Sequence, residues 1–137
     1  MGNDVIILIA EDDIGHFILT KRHLRQAGIS NKIIHLPDGQ AASNYLHQEC
    51  INAEDNTKFI LLLDIRMPKI DGIEILEMMK KNPKLQKIPV IIVTTSDNPA
   101  NIKKCKELGC QEYIVKPIGG SLTKKVLELA HKLQSVR

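Results

Sequence analysis

Residues 59–64 read Phe59-Ile60-Leu61-Leu62-Leu63-Asp64. An apolar run of this length, with no polar alternation, describes a strand buried on both faces. A carboxylate at the end of such a run is not there for packing. Three further stretches repeat the arrangement. Val5-Ile6-Ile7-Leu8-Ile9-Ala10 runs into Glu11 and Asp12, residues 88–93 run into Thr94, and Tyr113-Ile114-Val115 runs into Lys116. If these strands are parallel, their polar ends meet at one edge of one sheet, where open α/β sheets bind ligands.

The intervening segments read as helices. Residues 13–27 carry Ile14, Phe17, Ile18 and Leu24 at helical spacing and stop at Gly28. Residues 32–36 form a short strand closed by the turn Pro37-Asp38-Gly39, residues 40–50 a second helix, and residues 52–57 a polar loop. Met67-Pro68-Lys69-Ile70-Asp71-Gly72 leads into a third helix with Ile73, Ile75, Leu76 and Met79, which Asn82-Pro83 interrupts. Ser96-Asp97-Asn98-Pro99 signals the start of a helix over residues 100–108, ended by Gly109. A fifth strand over 111–115 and a last helix over 121–135, apolar at Leu122, Val126, Leu129 and Leu133, complete the series. Five β-α units predict a doubly wound parallel sheet with helices on both faces, because right-handed crossovers put them there.

A chain of 137 residues fits one domain with one core, and no linker or repeat divides it, so residues 1–137 are read as a single domain without an output domain. The net charge of +3, from 19 basic and 16 acidic residues, is too small to imply nucleic-acid or membrane binding. The low aromatic content, with no Trp, also argues against a base-stacking surface. No apolar run approaches the roughly 20 residues that span a bilayer. The start, Met1-Gly2-Asn3-Asp4, lacks the basic region of a secretory signal. A cytoplasmic protein is expected, and the irregular spacing of Cys50, Cys105 and Cys110 agrees, reading as free structural thiols.

The strand-end residues have a shared chemistry. Glu11, Asp12 and Asp64 at neighbouring strand ends would repel one another, and a hard divalent cation relieves that repulsion. Taken alone, Glu11 and Asp12 read equally well as helix-capping acids, although Asp13 is the better cap. Lys116, followed by Pro117, either offers an ammonium to a phosphoryl oxygen or snorkels at the surface. Thr94 either donates its hydroxyl to a phosphoryl oxygen or is an ordinary strand residue. The histidines at 16, 23, 35, 47 and 131 are scattered and lack zinc-ligand spacing. Lys103, Lys104, Lys106, Lys124, Lys125 and Lys132 cluster on the last two helices, as a solvated face or a partner surface.

Five ordered pieces carry a resemblance: Ile9-Ala10-Glu11-Asp12-Asp13, Leu62-Leu63-Asp64-Ile65-Arg66-Met67-Pro68, Asp71-Gly72, Ile92-Val93-Thr94-Thr95-Ser96 and Tyr113-Ile114-Val115-Lys116-Pro117. With these, the chain resembles the receiver domains of two-component response regulators over nearly its whole length. The spacing matches too: 94 − 64 = 30 from aspartate to threonine, and 116 − 94 = 22 from threonine to lysine. The resemblance implies a flavodoxin-like sheet in strand order 2-1-3-4-5. It implies Asp64 as phosphoacceptor for a phosphohistidine on a sensor histidine kinase or phosphotransfer protein. Mg2+ would be held by Asp12 and Asp64, by Glu11 mostly through water, and by the backbone carbonyl of Arg66. Lys116 would pair with the acyl phosphate and Thr94 would bind it, with Thr94 and Tyr113 as the switch pair. The readout would be partner binding or homodimerisation on the face of the fourth helix, fifth strand and fifth helix. Such a domain phosphorylates and dephosphorylates itself and is not an enzyme with a diffusing substrate.

Three other functions meet that expectation. A pseudo-receiver would bind partners without phosphorylation, but Asp12, Asp64, Thr94 and Lys116 are all present. An aspartyl-phosphate phosphotransferase usually needs Asp-x-Asp, and Arg66 stands two residues after Asp64. A nucleotide-binding domain needs a glycine-rich loop after the first strand, which is missing. Arg66 itself is expected at the pocket mouth, pairing with Glu11 or with the phosphoryl group, or crowding the water that hydrolyses it. Extra residues around 48–57, with Asn82-Pro83-Lys84-Leu85 and Thr94-Thr95-Ser96, are similar to single-domain receivers that partner phytochrome-type kinases.

Overall fold

The computed structural model describes residues 5–135, so the signal-free reading of Met1–Asp4 lies outside the described residues. The elements are β1 (Val5–Ala10), α1 (Ile14–Gln26), β2 (Ile33–Leu36), α2 (Gly39–Tyr45), β3 (Lys58–Leu63), α3 (Gly72–Lys80), β4 (Val90–Thr94), α4 (Pro99–Glu107), β5 (Glu112–Val115) and α5 (Gly120–Ser135). All strand pairs are parallel, in the order β2-β1-β3-β4-β5. The doubly wound (βα)5 sheet expected from the sequence is therefore present.

Alternate residues of the apolar strands feed two separate cores. Leu8, Ala10, Leu61, Leu63 and Ile92 face α2, α3 and α4 through Ala42, Ile75, Leu76, Met79 and Cys105. Ile7, Ile9, Ile60, Leu62, Ile91, Val93 and Ile114 face α1 and α5 through Leu24, Leu122, Val126 and Leu129. Both faces of the central strands are covered, which is why the runs show no polar alternation. Burial raises the Cys50 thiol to about 12 and the Cys105 thiol to about 11, so neither is a thiolate at neutral pH.

Several boundaries differ from the sequence reading. The second helix is not α-helical to residue 50: after Tyr45 it widens into a π-helical turn, Leu46–Cys50. β4 begins at Val90, because Leu85–Lys87 forms a 3-10 turn capped by Ile88 and Pro89 follows with no N–H. β3 begins one residue early and ends at Leu63, leaving Asp64 just outside the strand. The connection after the π turn is tied by Lys84 Nζ, which donates to the Ile51 carbonyl at 3.0 Å. It borders a cleft of about 340 Å³ lined by Glu54, Asp55, Lys58, Lys84 and Lys87, at the strand edge opposite the acids.

Side chains that cap the helices also fix their starts at the carboxyl edge. Asp13 Oδ1 accepts from His16 N at 3.0 Å, and Asp38 Oδ1 from Ala41 N at 2.8 Å. Asp71 and Glu74 form a reciprocal capping box. Asn98 caps α4, with Pro99 at its first position. Gly72, next to Asp71, is where α3 touches the edge. Its N–H donates to the Ile65 carbonyl at 2.9 Å, and a Cβ there would lie 2.3 Å from the Asp64 carbonyl oxygen.

Gly72→Ala should therefore lower stability by about 1–3 kcal/mol through overpacking against backbone. Gly120→Ala has nothing within 4 Å of the added methyl and should stay within about 0.5 kcal/mol of the parent. Urea-unfolding midpoints of the two variants check this, and equal midpoints would contradict it.

Candidate functional site

Strand register assembles the site. Ala10 pairs with Leu63 as the last step of the β1–β3 ladder, so Glu11 and Asp64 leave the sheet side by side. Asp64 N–H donates back to the Ala10 carbonyl at 3.1 Å. On the other side of Asp64, Lys116 N–H donates to the Thr94 carbonyl at 2.7 Å and fixes the end of β5 against β4. The Lys116–Pro117 peptide is cis.

Lys116 sends its ammonium across this edge. Nζ lies 2.5 Å from Glu11 Oε1, 3.3 Å from Asp64 Oδ2 and 3.0 Å from His16 Nδ1. The side chains of Lys116, Glu11 and Asp64 are 8%, 6% and 8% exposed, so this is a buried ionic cluster and not a surface pair. Asp12 is exposed and completes the acidic group: one oxygen each from Glu11, Asp12 and Asp64 all lie within 4.8 Å of one another. Three carboxylates thus face one ammonium. Burial pushes the Glu11 carboxyl above its ordinary value; the hydrogen bond from Lys116 opposes this and the Asp64 charge adds to it.

An all-oxygen, anionic donor set suits a hard divalent cation such as Mg2+ or Mn2+ and not a soft one. Arg66 contributes backbone: its N–H donates to Asp64 Oδ1 at 3.2 Å. Its side chain is exposed and forms no ion pair among the described residues. The expected pairing with Glu11 is absent because Lys116 already occupies that carboxylate.

Thr94 is fully buried, and its Oγ1 accepts from Ser96 N at 3.4 Å. Tyr113 is half-buried, and its hydroxyl donates to the Ser96 carbonyl at 2.8 Å. Burial raises the Tyr113 phenol, partly offset by this hydrogen bond. Thr94 and Tyr113 therefore meet on Ser96, whose hydroxyl also accepts from Asn101 Nδ2 at 2.9 Å.

Two site residues were missed by searching histidines for zinc spacing alone. His16 stands in the first turn of α1, three residues after the capping Asp13, which puts it at the sheet edge. His35, in β2, stacks on Phe17 with ring centroids 3.9 Å apart. Its Nε2 lies 2.8 Å from the Glu11 carbonyl oxygen, which can only accept, so the ring donates and steadies the acidic turn. Its place opposite Ile9 in the β1–β2 ladder was the available signal.

Comparison with known proteins places this geometry. The response regulator receiver domain family matches residues 7–128. The chain belongs to that family. Response regulator Rcp1 of Synechocystis is 35% identical over 111 residues, 81% of this chain and 76% of Rcp1. The Mn(2+)-bound structure of Rcp1 superposes with a TM-score of 0.73 at 32% identity, covering 96% of each chain. A receiver domain from Rhodospirillum rubrum gives a TM-score of 0.77 at 34% identity, over 96% of this chain and 95% of that one. The phosphorylated cyanobacterial phytochrome response regulator RcpA gives 0.75 at 28% identity, over 97% of this chain and 95% of RcpA. The likeness to RcpA agrees with the expected similarity to receivers of phytochrome systems. Among the described residues, no helix is long and apolar enough to cross a membrane.

Magnesium at about a hundred times its dissociation constant should stabilise the protein by about 2.7 kcal/mol, seen as a higher Tm. Asp12→Asn should remove most of that shift. Metal and protons compete for the carboxylates, the more so at Glu11, whose carboxyl burial holds above its ordinary value, so affinity should be lower at about pH 5 than at about pH 7. Calorimetric titration at the two pH values checks the sign, and equal affinities would contradict it.

Proposed function

We propose that the protein is a phosphoacceptor switch: Asp64 takes a phosphoryl group from a phosphohistidine of a sensor kinase or phosphotransfer protein in the cytoplasm. The observation that carries this reading is the buried contact of Lys116 with both Asp64 and Glu11 beside an acidic, oxygen-only metal pocket. An Asp64 carboxylate oxygen forms a bond to phosphorus while the donor's N–P bond breaks, and the imidazole leaves with the bonding pair. Phosphoryl transfer needs mostly positioning and charge stabilisation. The Lys116 ammonium meets the phosphoryl oxygens, and its backbone bond to the Thr94 carbonyl holds it to the edge. Glu11, Asp12, Asp64 and the Arg66 carbonyl would hold Mg2+, which neutralises phosphoryl charge when bound. That similar receivers occur in a Mn(2+)-bound form, Rcp1, and a phosphorylated form, RcpA, supports this reading.

The acyl phosphate adds roughly −2 charge at the sheet edge. Thr94 turns its hydroxyl to a phosphoryl oxygen and gives up its contact with Ser96. Tyr113, held by the same residue, then resettles and alters the face of α4, β5 and α5. That face exposes Val115 and Leu127 among its lysines, which suits a downstream protein or a second copy. The chemistry is performed on the protein itself, including loss of the phosphoryl group.

Incubation with Mg2+ and acetyl phosphate should add one phosphoryl mass to the parent and none to Asp64→Asn. An adduct that survives Asp64→Asn would overturn the assignment. A parent that stays unmodified yet binds its partners would favour the phosphorylation-independent binding module. Arg66, exposed at the mouth, should act on the phosphoryl lifetime. In Arg66→Ala the half-life should change by about threefold or more, while Mg2+ affinity changes less, since the backbone contact to Asp64 remains. Equal half-lives in variant and parent would contradict that role.

A further inference from the structure

We propose that His16 is a positioning residue for Lys116, an inference that rests on the phosphoacceptor reading of Asp64. A lysine ammonium has three protons and no acceptor. Here each proton has one partner: Glu11 Oε1 at 2.5 Å, His16 Nδ1 at 3.0 Å and Asp64 Oδ2 at 3.3 Å. His16 Nδ1 must therefore offer its lone pair, and the ring carries its proton on Nε2. The same Nδ1 is 3.9 Å from Glu11 Oε2, beyond hydrogen-bond reach, so the ring engages the lysine and not the carboxylate.

His16 is the uncharged member of the three, and it comes from a different direction. Glu11 and Asp64 draw the ammonium into the sheet edge, whereas His16 holds it from the first turn of α1. Its backbone N–H is fixed by Asp13 Oδ1 at 3.0 Å, so the ring stands on a capped helix and not on a loop. The adjoining cleft of about 260 Å³ is walled by Leu19, Thr20, Thr95, Pro117 and Ile118, and no other uncharged acceptor bonds the ammonium among the described residues. Asp64 has the longest of the three contacts, so it is the one a phosphoryl oxygen can share. Without His16 the freed proton turns toward Asp64 and ties up the nucleophile.

His16→Ala should lower the maximal phosphorylation rate at saturating acetyl phosphate and Mg2+ by about three- to tenfold, the effect of one ordinary hydrogen bond, since solvent at this half-exposed site weakens the bond to the ammonium. His16→Asn, which restores an acceptor of similar reach, should recover most of the rate. In the metal-free protein, proton exchange at the Lys116 ammonium, followed by NMR, should quicken in His16→Ala and slow again in His16→Asn. A parent-like rate and exchange in His16→Ala would overturn the inference, as would equal slowing in Ala and Asn variants. A parent that forms no adduct would overturn the phosphoacceptor reading, while ammonium exchange would still decide the His16–Lys116 contact.

Discussion

The structure turns on one buried ammonium facing crowded carboxylates. Lys116 lies between Glu11 and Asp64 with all three side chains largely removed from water. Such a cluster is poor value for stability alone. Desolvation of buried ions cancels much of their attraction, and apolar residues of similar size often do as well. Removing one partner, by contrast, strands the others and is destabilising by about 3–5 kcal/mol. An arrangement this sensitive, with one more carboxylate than a lysine and its partner need, makes sense as a site that waits for added cation and added anion together.

The sheet exists in the form that this cluster requires. The parallel strands end at one edge above two apolar cores, and Glu11, Asp12, Asp64 and Lys116 gather at that edge. Gly72 lets α3 start in contact with the Asp64 backbone, and Asp13 starts α1 beside Glu11. The same edge continues sideways through Thr94 and Ser96 to Tyr113, joined by two hydrogen bonds, and the proposed switch would run along this line. This is a short physical route from site to surface, with Ser96 as its shared element.

Much of this was legible in the sequence, for reasons tied to particular residues. Unbroken apolar runs that stop at Asp64 and Glu11 read as central strands covered on both faces, and the caps Asp13 and Asn98 announce their helices; the shorter run that stops at Lys116 is the edge strand β5. The π-helical turn after Tyr45 was not legible, since Leu46 and Cys50 continue an ordinary helical spacing and the widening depends on how the turn packs. Ile88 looked like strand because it is β-branched, but Pro89 cannot donate into a ladder. Of the roles expected for Arg66, a pair with Glu11 is not formed; which cation takes a carboxylate depends on burial, and Lys116 arrives from inside. His16 and His35 were invisible for a related reason: their partners, Lys116 and the Glu11 carbonyl, lie 100 and 24 residues away.

The central claim is that Asp64 becomes an acyl phosphate within this cluster. Phosphorus NMR of the protein with Mg2+ and a small phosphodonor tests it most directly, because an acyl phosphate is cleaved by hydroxylamine and phosphate esters are not. The account predicts a protein-bound signal that vanishes on adding hydroxylamine. A bound signal that persists through hydroxylamine, or no bound signal at all, would contradict it.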